Sequence, residues 1–271
     1  MEREKSELLQ VAEKFEIEGT TETIEPHGNG HINDTFLLTC RLSSDVVCRY
    51  ILQRMNHEVF KDPKALMENI VGVTTFLQKK IIEHGGDPKR EALNVISVRK
   101  GGAYYQAEDG TFWRMYRFVE DAISYDIVER PEDFYESAVA FGHFQKLLAD
   151  YPAESLHESI PNFHNTVDRL QRFKKAVAED CMQRAKEVKE EIQFVLDREE
   201  DCHILCDMLA SGEIPLRVTH NDTKLNNIML DHKTGKGICV IDLDTVMPGS
   251  ALYDYGDSIR FGANTGAEDE R

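Results

Sequence analysis

The order of apolar and polar residues predicts two β-hairpins in the first half of the chain. FLLTC (residues 36–40) and DVVCRYILQRM (residues 45–55) alternate in the manner of half-buried strands and predict a hairpin within residues 20–55. A second hairpin is predicted where Asp109-Gly110 separates YYQA from TFWRMYRFV. Together they indicate an N-terminal sheet of about four or five strands.

Helical spacing interrupts these strands once and then dominates the second half. A helix is predicted from Asp62-Pro63, with apolar residues three or four positions apart at Leu66, Ile70, Val73, Leu77 and Ile81. From Pro131 onward the pattern is helical, and 165–211 holds further long helices. We therefore predict an α+β fold of two lobes: residues 1–121, a small antiparallel sheet with one main helix, and residues 122–271, a larger helical lobe.

Composition and charge narrow the classes of partner. The 271 residues are 41% hydrophobic and 30% charged, which is typical of a folded globular protein, and the formal net charge is −17. That charge repels phosphate backbones and anionic lipids, so nucleic acid and membrane surfaces are not expected partners. The scattered cysteines, a charged N-terminus and the lack of a long apolar run predict a cytoplasmic protein with reduced thiols.

The most informative segment is RVTHNDTKLNNIMLDHKTGKGICVIDLDTV (residues 217–246). Its apolar runs predict three short strands, and its polar side chains fall at the strand ends. Asp222 lies two residues after His220 and five before Asn227, and Asp242 closes the last strand. The pattern H-x-D-x-x-x-x-N followed by an apolar strand ending in Asp is the arrangement that phosphoryl transfer needs.

The chemistry explains this choice of residues. A carboxylate can orient or accept the proton of an attacking hydroxyl, while an Asn oxygen and a second carboxylate can hold Mg²⁺ against nucleotide phosphates. The simpler alternative is that these residues cap turns, which is our preferred interpretation for Asn221 and Asn226. Asp244 is left open between a metal or substrate contact and a cap.

The segments HNDTKLNN, VIDLDTVMPG and LYDYGD resemble the aminoglycoside phosphotransferase and choline kinase superfamily, which has a bilobal protein-kinase-like fold. HGNGHINDTFLL, YILQRMNHEVFKDPKALMENI and LHESIPNFHNT are similar to N-acetylhexosamine 1-kinases, which phosphorylate the anomeric hydroxyl of N-acetylglucosamine or N-acetylgalactosamine. The resemblance runs from about residue 15 to the end of the chain and implies ATP, Mg²⁺ and a small-molecule sugar substrate.

The resemblance also implies roles for single residues. Asp222 is the expected catalytic base, Asn227 and Asp242 are the expected Mg²⁺ ligands, and His220 is a structural member of the catalytic loop. Nucleotide phosphates are expected to lie under the loop between the first two strands, which contains Gly28, Gly30 and Asn33. From the residues alone, the GNG sequence also suits an ordinary hairpin turn.

Two positions depart from the superfamily pattern. Where a Lys or Arg on the third strand usually grips the phosphates, the register places Gln53, with Arg54 beside it. Either a bulge presents Arg54, or Gln53 acts more weakly and another cation compensates. Glu68 is the candidate for the helix Glu that pairs with this cation, although it lies away from the apolar stripe of its helix.

The resemblance further implies that additional C-terminal helices follow the segment GANTGAEDER, so that the fold is truncated. Two other functions compete with a sugar 1-kinase. The net charge suits a kinase of a cationic small molecule such as choline or an aminoglycoside. Gln53 in place of a cation suits a catalytically silent nucleotide-binding module.

Overall fold

The computed structural model describes residues 2–28, 32–126 and 130–264. Its helices are α1 (Glu2–Ala12), α2 (Pro63–Glu83), α3 (Pro88–Glu91), α4 (Pro131–Leu147), α5 (Thr166–Glu179), α6 (Lys189–Leu196), α7 (Glu199–Ser211) and α8 (Ala251–Gly262). Its strands are β1 (Thr20–Pro26), β2 (Asp34–Ser43), β3 (Val46–Met55), β4 (Tyr105–Gln106), β5 (Phe112–Arg117), β6 (Ala122–Ile123), β7 (Arg217–Thr219), β8 (Ile228–Asp231), β9 (Gly237–Val240) and β10 (Met247–Gly249).

The N-terminal sheet has five antiparallel strands in the order β1-β2-β3-β5-β4. Both predicted hairpins are present, as β2–β3 and β4–β5. In the second turn Gly110 has a φ of +86°, and Asp109 accepts a hydrogen bond from the Thr111 backbone at 3.0 Å. This left-handed position requires a residue such as glycine, and it fixes the register of β5.

The two faces of this sheet are buried by different parts of the chain. Cys48, Tyr50 and Leu52 of β3 pack in a cluster with residues of α1. Ile51 and Met55 face the other way, into the larger cluster that contains α2, α4 and β8. Because successive side chains of a strand point to opposite faces, the facing of every β3 residue follows from these assignments.

Helix α2 forms as its sequence predicts. The Asp62 side chain accepts a hydrogen bond from the Ala65 backbone at 3.0 Å, and Pro63 occupies the first turn, where its missing N–H costs nothing. All five residues of the predicted apolar stripe are buried: Leu66, Ile70, Val73, Leu77 and Ile81. The stripe fixes α2 between the N-terminal sheet and the second half of the chain.

The second half contains α4 to α8 and two small sheets. Strand β7 pairs with β10, while β6, β8 and β9 form a three-stranded sheet. Strand β6 lies directly after the proposed boundary at residue 121 and already pairs with β8. The predicted α+β class is confirmed, with an antiparallel N-terminal sheet followed by a largely helical second part. No helix in the described ranges has both the length and the apolar composition needed to cross a bilayer.

Candidate active site

The loop after β7 is fixed by a fully buried histidine. His220 Nε2 lies 2.9 Å from the Ile241 carbonyl oxygen, and its Nδ1 accepts a hydrogen bond of 3.3 Å from the Asp222 backbone. These partners assign the proton to Nε2. The edges of the Phe141 and Phe144 rings enclose the imidazole. His220 therefore joins the loop to the end of β9 and holds the backbone on which Asp222 is carried.

Helix α8 anchors the same loop through two carboxylates that the sequence analysis did not assign. Asp254 accepts hydrogen bonds from the backbone N–H groups of His220 and Asn221, at 2.9 and 2.8 Å. Asp257 accepts one from the Thr223 backbone at 2.8 Å. Burial raises the pKa of Asp254, and its hydrogen bonds with the loop oppose that rise. The sequence feature that could have indicated these contacts is the pair of acids, Asp254 and Asp257, three residues apart in LYDYGD.

Asn221 is a turn residue, as its sequence context suggested. Its φ of +67° lies in the left-handed region that Asn tolerates better than most residues. Its side chain donates a hydrogen bond of 2.8 Å to the Thr245 carbonyl oxygen. This contact ties the loop to the segment that follows Asp242.

Asp222 and Asn227 are held together within the loop. The Asn227 amide Nδ2 donates to the Asp222 carbonyl oxygen at 2.8 Å and to its carboxylate Oδ2 at 3.1 Å. Lys224 Nζ lies 3.5 Å from Asp222 Oδ1, and the Asp222 side chain is 25% exposed. The Asn227 amide nitrogen is thus occupied, which directs its oxygen away from Asp222.

Asp242 differs from Asp222 and Asp244 because no donor in the described residues hydrogen-bonds its carboxylate. It has a φ of +56° and an exposed side chain. The surrounding protein still displaces much of its water, and together with the nearby negative charge of Asp244 this raises the pKa of Asp242 to about 6. Its surroundings destabilise the ionised form of this accessible carboxylate, and a bound cation would stabilise it. Asp242 is therefore suited to bind a cation.

The donor set suits Mg²⁺. The backbone of Ile241 donates to the Asn227 carbonyl oxygen at 2.8 Å, so the strand end bearing Asp242 lies beside Asn227. Across the described ranges, no cluster of three or more His, Cys, Asp or Glu side chains is arranged to hold a metal ion. Magnesium needs no such cluster, since it retains several waters and takes one or two protein oxygens together with phosphate oxygens.

Asp244 joins the two lobes. Both Arg114 guanidinium NH groups donate to its carboxylate, one of them at 2.9 Å, and the Asn33 amide donates to Oδ2 at 2.7 Å. Asn33 in turn accepts a hydrogen bond of 2.9 Å from the Asn56 backbone. Asp244 is therefore a buried acceptor for groups of the N-terminal lobe, which neither of the alternatives weighed from the sequence included.

The third strand carries no bulge at the predicted position. Gln53 pairs with Thr35 on one side and Arg114 on the other, and β3 pairs with β5 in continuous register from Tyr50 to Met55. Gln53 faces the cleft between the two lobes, and its side chain accepts a hydrogen bond of 2.9 Å from Arg114 Nε. Arg54 points to the opposite face, where it pairs with Asp34. The bulge hypothesis is therefore corrected: Arg54 is directed away from Asp242.

Glu68 is also placed differently from the expectation. Its carboxylate pairs with His157 Nε2 at 2.8 Å and with Lys64 at 3.7 Å, and its side chain is half exposed. The next residue, Asn69, is a buried polar residue of α2, and it donates to the carbonyl oxygens of His157 and Val246. The helix phase explains the difference, because Glu68 lies outside the stripe that begins at Leu66.

The glycine-rich loop is described in part. Gly28 has a φ of +75°, which favours glycine, and the preceding His27 backbone donates to the Thr35 carbonyl oxygen at 2.9 Å. Gly30 lies outside the described residues. Asn33, at the far end of the loop, is the residue that contacts Asp244.

Residues 23–270 match the sequence profile of the phosphotransferase enzyme family. This chain belongs to that family. The matched range includes the loop from His220 to Asn227, Asp242 and both anchoring carboxylates of α8.

Solved structures share the fold of this phosphotransferase at low sequence identity, which confirms the predicted bilobal, protein-kinase-like fold class. Amicoumacin kinase hAmiN, in complex with AMP-PNP, Ca²⁺ and Ami, is 12% identical with a TM-score of 0.60, covering 98% of this chain and 72% of that one. The GDP and kanamycin complex of APH(2″)-IIIa is 13% identical with a TM-score of 0.58, covering 96% and 84%. Choline kinase LicA from Streptococcus pneumoniae is 11% identical with a TM-score of 0.53, covering 98% and 77%.

Proposed function

We propose that this phosphotransferase is an ATP-dependent kinase that transfers the γ-phosphoryl group to the anomeric hydroxyl of an N-acetylhexosamine, giving the sugar 1-phosphate. Family membership supports phosphoryl transfer. The acceptor is proposed from the similarity of HGNGHINDTFLL, YILQRMNHEVFKDPKALMENI and LHESIPNFHNT to N-acetylhexosamine 1-kinases.

The observation that carries the proposal is the pair of accessible carboxylates at Asp222 and Asp242. Asp222 is held by Asn227 and partly exposed, as a residue that receives a hydroxyl group must be. Asp242 is exposed, close enough to Asp222 for their charges to interact, and without a hydrogen-bond donor among the described residues. One carboxylate thus suits the acceptor and the other suits a cation.

Each residue then has a role in the reaction. Asp222 orients the acceptor hydroxyl and takes its proton on a carboxylate oxygen as the bond from the hydroxyl oxygen to the γ-phosphorus forms, while the bond from the γ-phosphorus to the β–γ bridging oxygen breaks and ADP leaves. Asn227 and Asp242 would hold Mg²⁺, which supplies neutralisation of the phosphate charge when bound. His220, Asp254 and the other loop contacts keep Asp222 in place, which matters because phosphoryl transfer relies mainly on positioning and electrostatics.

Nucleotide contacts are proposed for the N-terminal lobe. Gly28 and Asn33 flank a loop, and Asn33 donates to Asp244, so the far end of that loop lies near the segment that carries Asp242. Gln53 faces that region from β3. AMP-PNP and Ca²⁺ in the amicoumacin kinase complex support a nucleotide and a divalent cation here.

A cationic acceptor is the second candidate. The formal net charge of −17 attracts cations, and the structural neighbours include a choline kinase and a complex with kanamycin. A silent nucleotide-binding module, the remaining alternative, would bind nucleotide and transfer nothing.

One assay separates these functions. ADP release is followed with ATP, Mg²⁺ and one acceptor at a time: N-acetylglucosamine, N-acetylgalactosamine, choline or kanamycin. We expect turnover with an N-acetylhexosamine, and NMR should locate the phosphate on C1. Turnover with choline or kanamycin alone contradicts the sugar assignment. Nucleotide binding without transfer to any of the four acceptors favours the silent module.

A further inference from the structure

The cleft face of the N-terminal sheet carries a cation that the third strand lacks. Arg114 of β5 is 1% exposed, and all three of its guanidinium nitrogens donate hydrogen bonds. Nε donates to Gln53, and the two NH groups donate to Asp244, whose side chain is 5% exposed. Burying a charge this completely is costly without a well-matched partner, and the parallel fork-to-carboxylate contact provides one.

The register explains how Arg114 comes to stand there. Gln53 and Arg114 are directly opposite each other on β3 and β5, so their side chains share a face. The positive charge that the superfamily pattern places at the position of Gln53 on β3 is instead carried by Arg114 on the neighbouring strand β5. Gln53 is left as a neutral link, which donates to Thr35 at 3.0 Å and accepts from Arg114.

We propose that Arg114 is the positioning cation of the nucleotide site, acting through Asp244 on both the strand end that carries Asp242 and the loop that ends at Asn33. This inference rests on the proposed binding of a magnesium nucleotide. Arg114 acts indirectly in this arrangement, because it is buried and its hydrogen bonds are directed to Gln53 and Asp244.

Asp244 transmits the effect in two directions. Along the chain it stands two residues after Asp242, and the intervening turn is short, so the direction of the Asp244 side chain constrains the Asp242 backbone at its φ of +56°. Across the cleft it accepts from Asn33, which also binds the Asn56 backbone. Asp242, the proposed cation ligand, and Asn33, at the end of the loop proposed to cover the phosphates, are thus both linked to the buried Arg114–Asp244 pair.

The first test measures the affinity for MgADP by calorimetry, which requires neither an acceptor nor turnover. We expect Arg114→Gln to weaken MgADP binding by about 10- to 100-fold, the usual effect of removing a residue that orients a metal ligand, and to raise the Mg²⁺ concentration needed for half-saturation. Arg114→Lys should recover part of the loss. The matched control is Arg117→Gln, because Arg117 lies on the same strand but on the opposite face, paired with Glu18.

The second test separates positioning from mere stability. Replacing both partners, in Arg114→Met with Asp244→Leu, removes the buried charges together and should restore much of the thermal stability lost in Arg114→Gln. A purely structural role predicts that MgADP affinity returns with it. The proposed role predicts that affinity stays low, because no group then directs Asp242 or holds Asn33.

A variant outside the buried pair keeps the inference testable if the Arg114 variants fail to fold. Asn33→Ala removes one hydrogen bond to Asp244 and one acceptor for the Asn56 backbone. We expect weaker MgADP binding and, in the metal-free protein, faster hydrogen exchange at the Asn56 amide.

Three results would overturn the inference: a folded Arg114→Gln protein with wild-type MgADP affinity, recovery of affinity in the double apolar variant, or Arg54→Gln weakening MgADP as much as Arg114→Gln does. These outcomes differ from a failure of the proposed function. That failure is seen in the wild-type protein, which would phosphorylate none of the N-acetylhexosamines whatever Arg114 does.

Discussion

Two arginines of the N-terminal sheet are each paired with an aspartate, one pair buried and the other exposed to solvent. Arg114 and Asp244 are 1% and 5% exposed, whereas Arg54 and Asp34 are 49% and 53% exposed. Arg54 stands next to Gln53 in the sequence, and Gln53 lies opposite Arg114. A single step along a strand therefore separates the buried cation on one face of the sheet from an exposed one at the edge of the other face.

The difference lies in what each charge would lose if its partner were removed. Arg54 and Asp34 remain hydrated, so each partly recovers the lost interaction from water. Arg114 and Asp244 have little water around them, and an unpaired charge would remain in the interior. The buried pair should therefore influence both stability and function, and the exposed pair should influence neither strongly.

The largest expected effect follows from breaking the buried pair on one side. Arg114→Ala should lower the free energy of unfolding by about 3 to 5 kcal/mol, because Asp244 is left buried without its countercharge. Denaturant unfolding monitored by circular dichroism measures this. Asp244→Asn, which removes the charge that would be stranded, should restore part of the stability in the Arg114→Ala background. A loss below 1 kcal/mol in Arg114→Ala would show that water or another cation replaces the guanidinium.

A third ion pair, of intermediate exposure, makes the stability of the protein depend on pH. Arg90 is 35% exposed and Asp231 is 10% exposed, and their contact of 3.0 Å joins α3 to β8. Arg90 also donates to the Glu120 carbonyl oxygen, in the segment after β5. Arg90 and the Thr234 hydrogen bonds hold the pKa of Asp231 well below its usual range. A depressed pKa in the folded state stabilises the protein above the unfolded pKa, and this contribution is lost as pH falls.

Asp231→Asn should therefore be less stable than wild type at pH 7, and the difference should shrink once the pH falls below about 4, the ordinary pKa of an aspartate. Thermal unfolding across that pH range checks the prediction. The difference in stability between wild type and Arg90→Gln should shrink over the same pH range, because this change removes the main cause of the lowered pKa of Asp231. A stability difference that is constant with pH would contradict this role of the pair.

The smallest effect is expected at the exposed pair. Arg54→Ala should change the free energy of unfolding by less than about 1 kcal/mol, the range for solvent-exposed ion pairs. It should also leave the affinity for MgADP close to that of wild type, since Arg54 points away from Asp242. Added salt should weaken whatever contribution is measured. A large loss of nucleotide affinity would mean that Arg54 reaches the cleft.

Periodicity was enough to predict the elements that frame the site. The stripe from Leu66 to Ile81 and the turn at Asp109-Gly110 specify α2 and the β4–β5 hairpin locally, and both are present as predicted. The spacing of His220, Asp222 and Asn227 likewise placed these residues in one loop, because the whole motif lies within eight consecutive residues, while the catalytic role of that loop stays a prediction.

Arg114 and the α8 carboxylates escaped prediction because their partners are distant in sequence. Arg114 contacts Asp244 across 130 positions, and Asp254 contacts His220 across 34. The signal for Arg114 was a lone cation within the apolar strand FWRMY, where an unpaired charge would be costly. Recognising its partner requires the register of β3 with β5, which no local pattern supplies.

The most direct test of the proposed function is the rate of phosphoryl transfer in Asp222→Asn, measured at saturating ATP, Mg²⁺ and the preferred N-acetylhexosamine. This change keeps the size of the side chain and its contact with Asn227 while removing the charge. We predict that MgADP and sugar still bind and that kcat falls by about 10² to 10⁴, the usual contribution of a positioned base. A kcat close to wild type would contradict the role of Asp222 and, with it, the proposed mechanism.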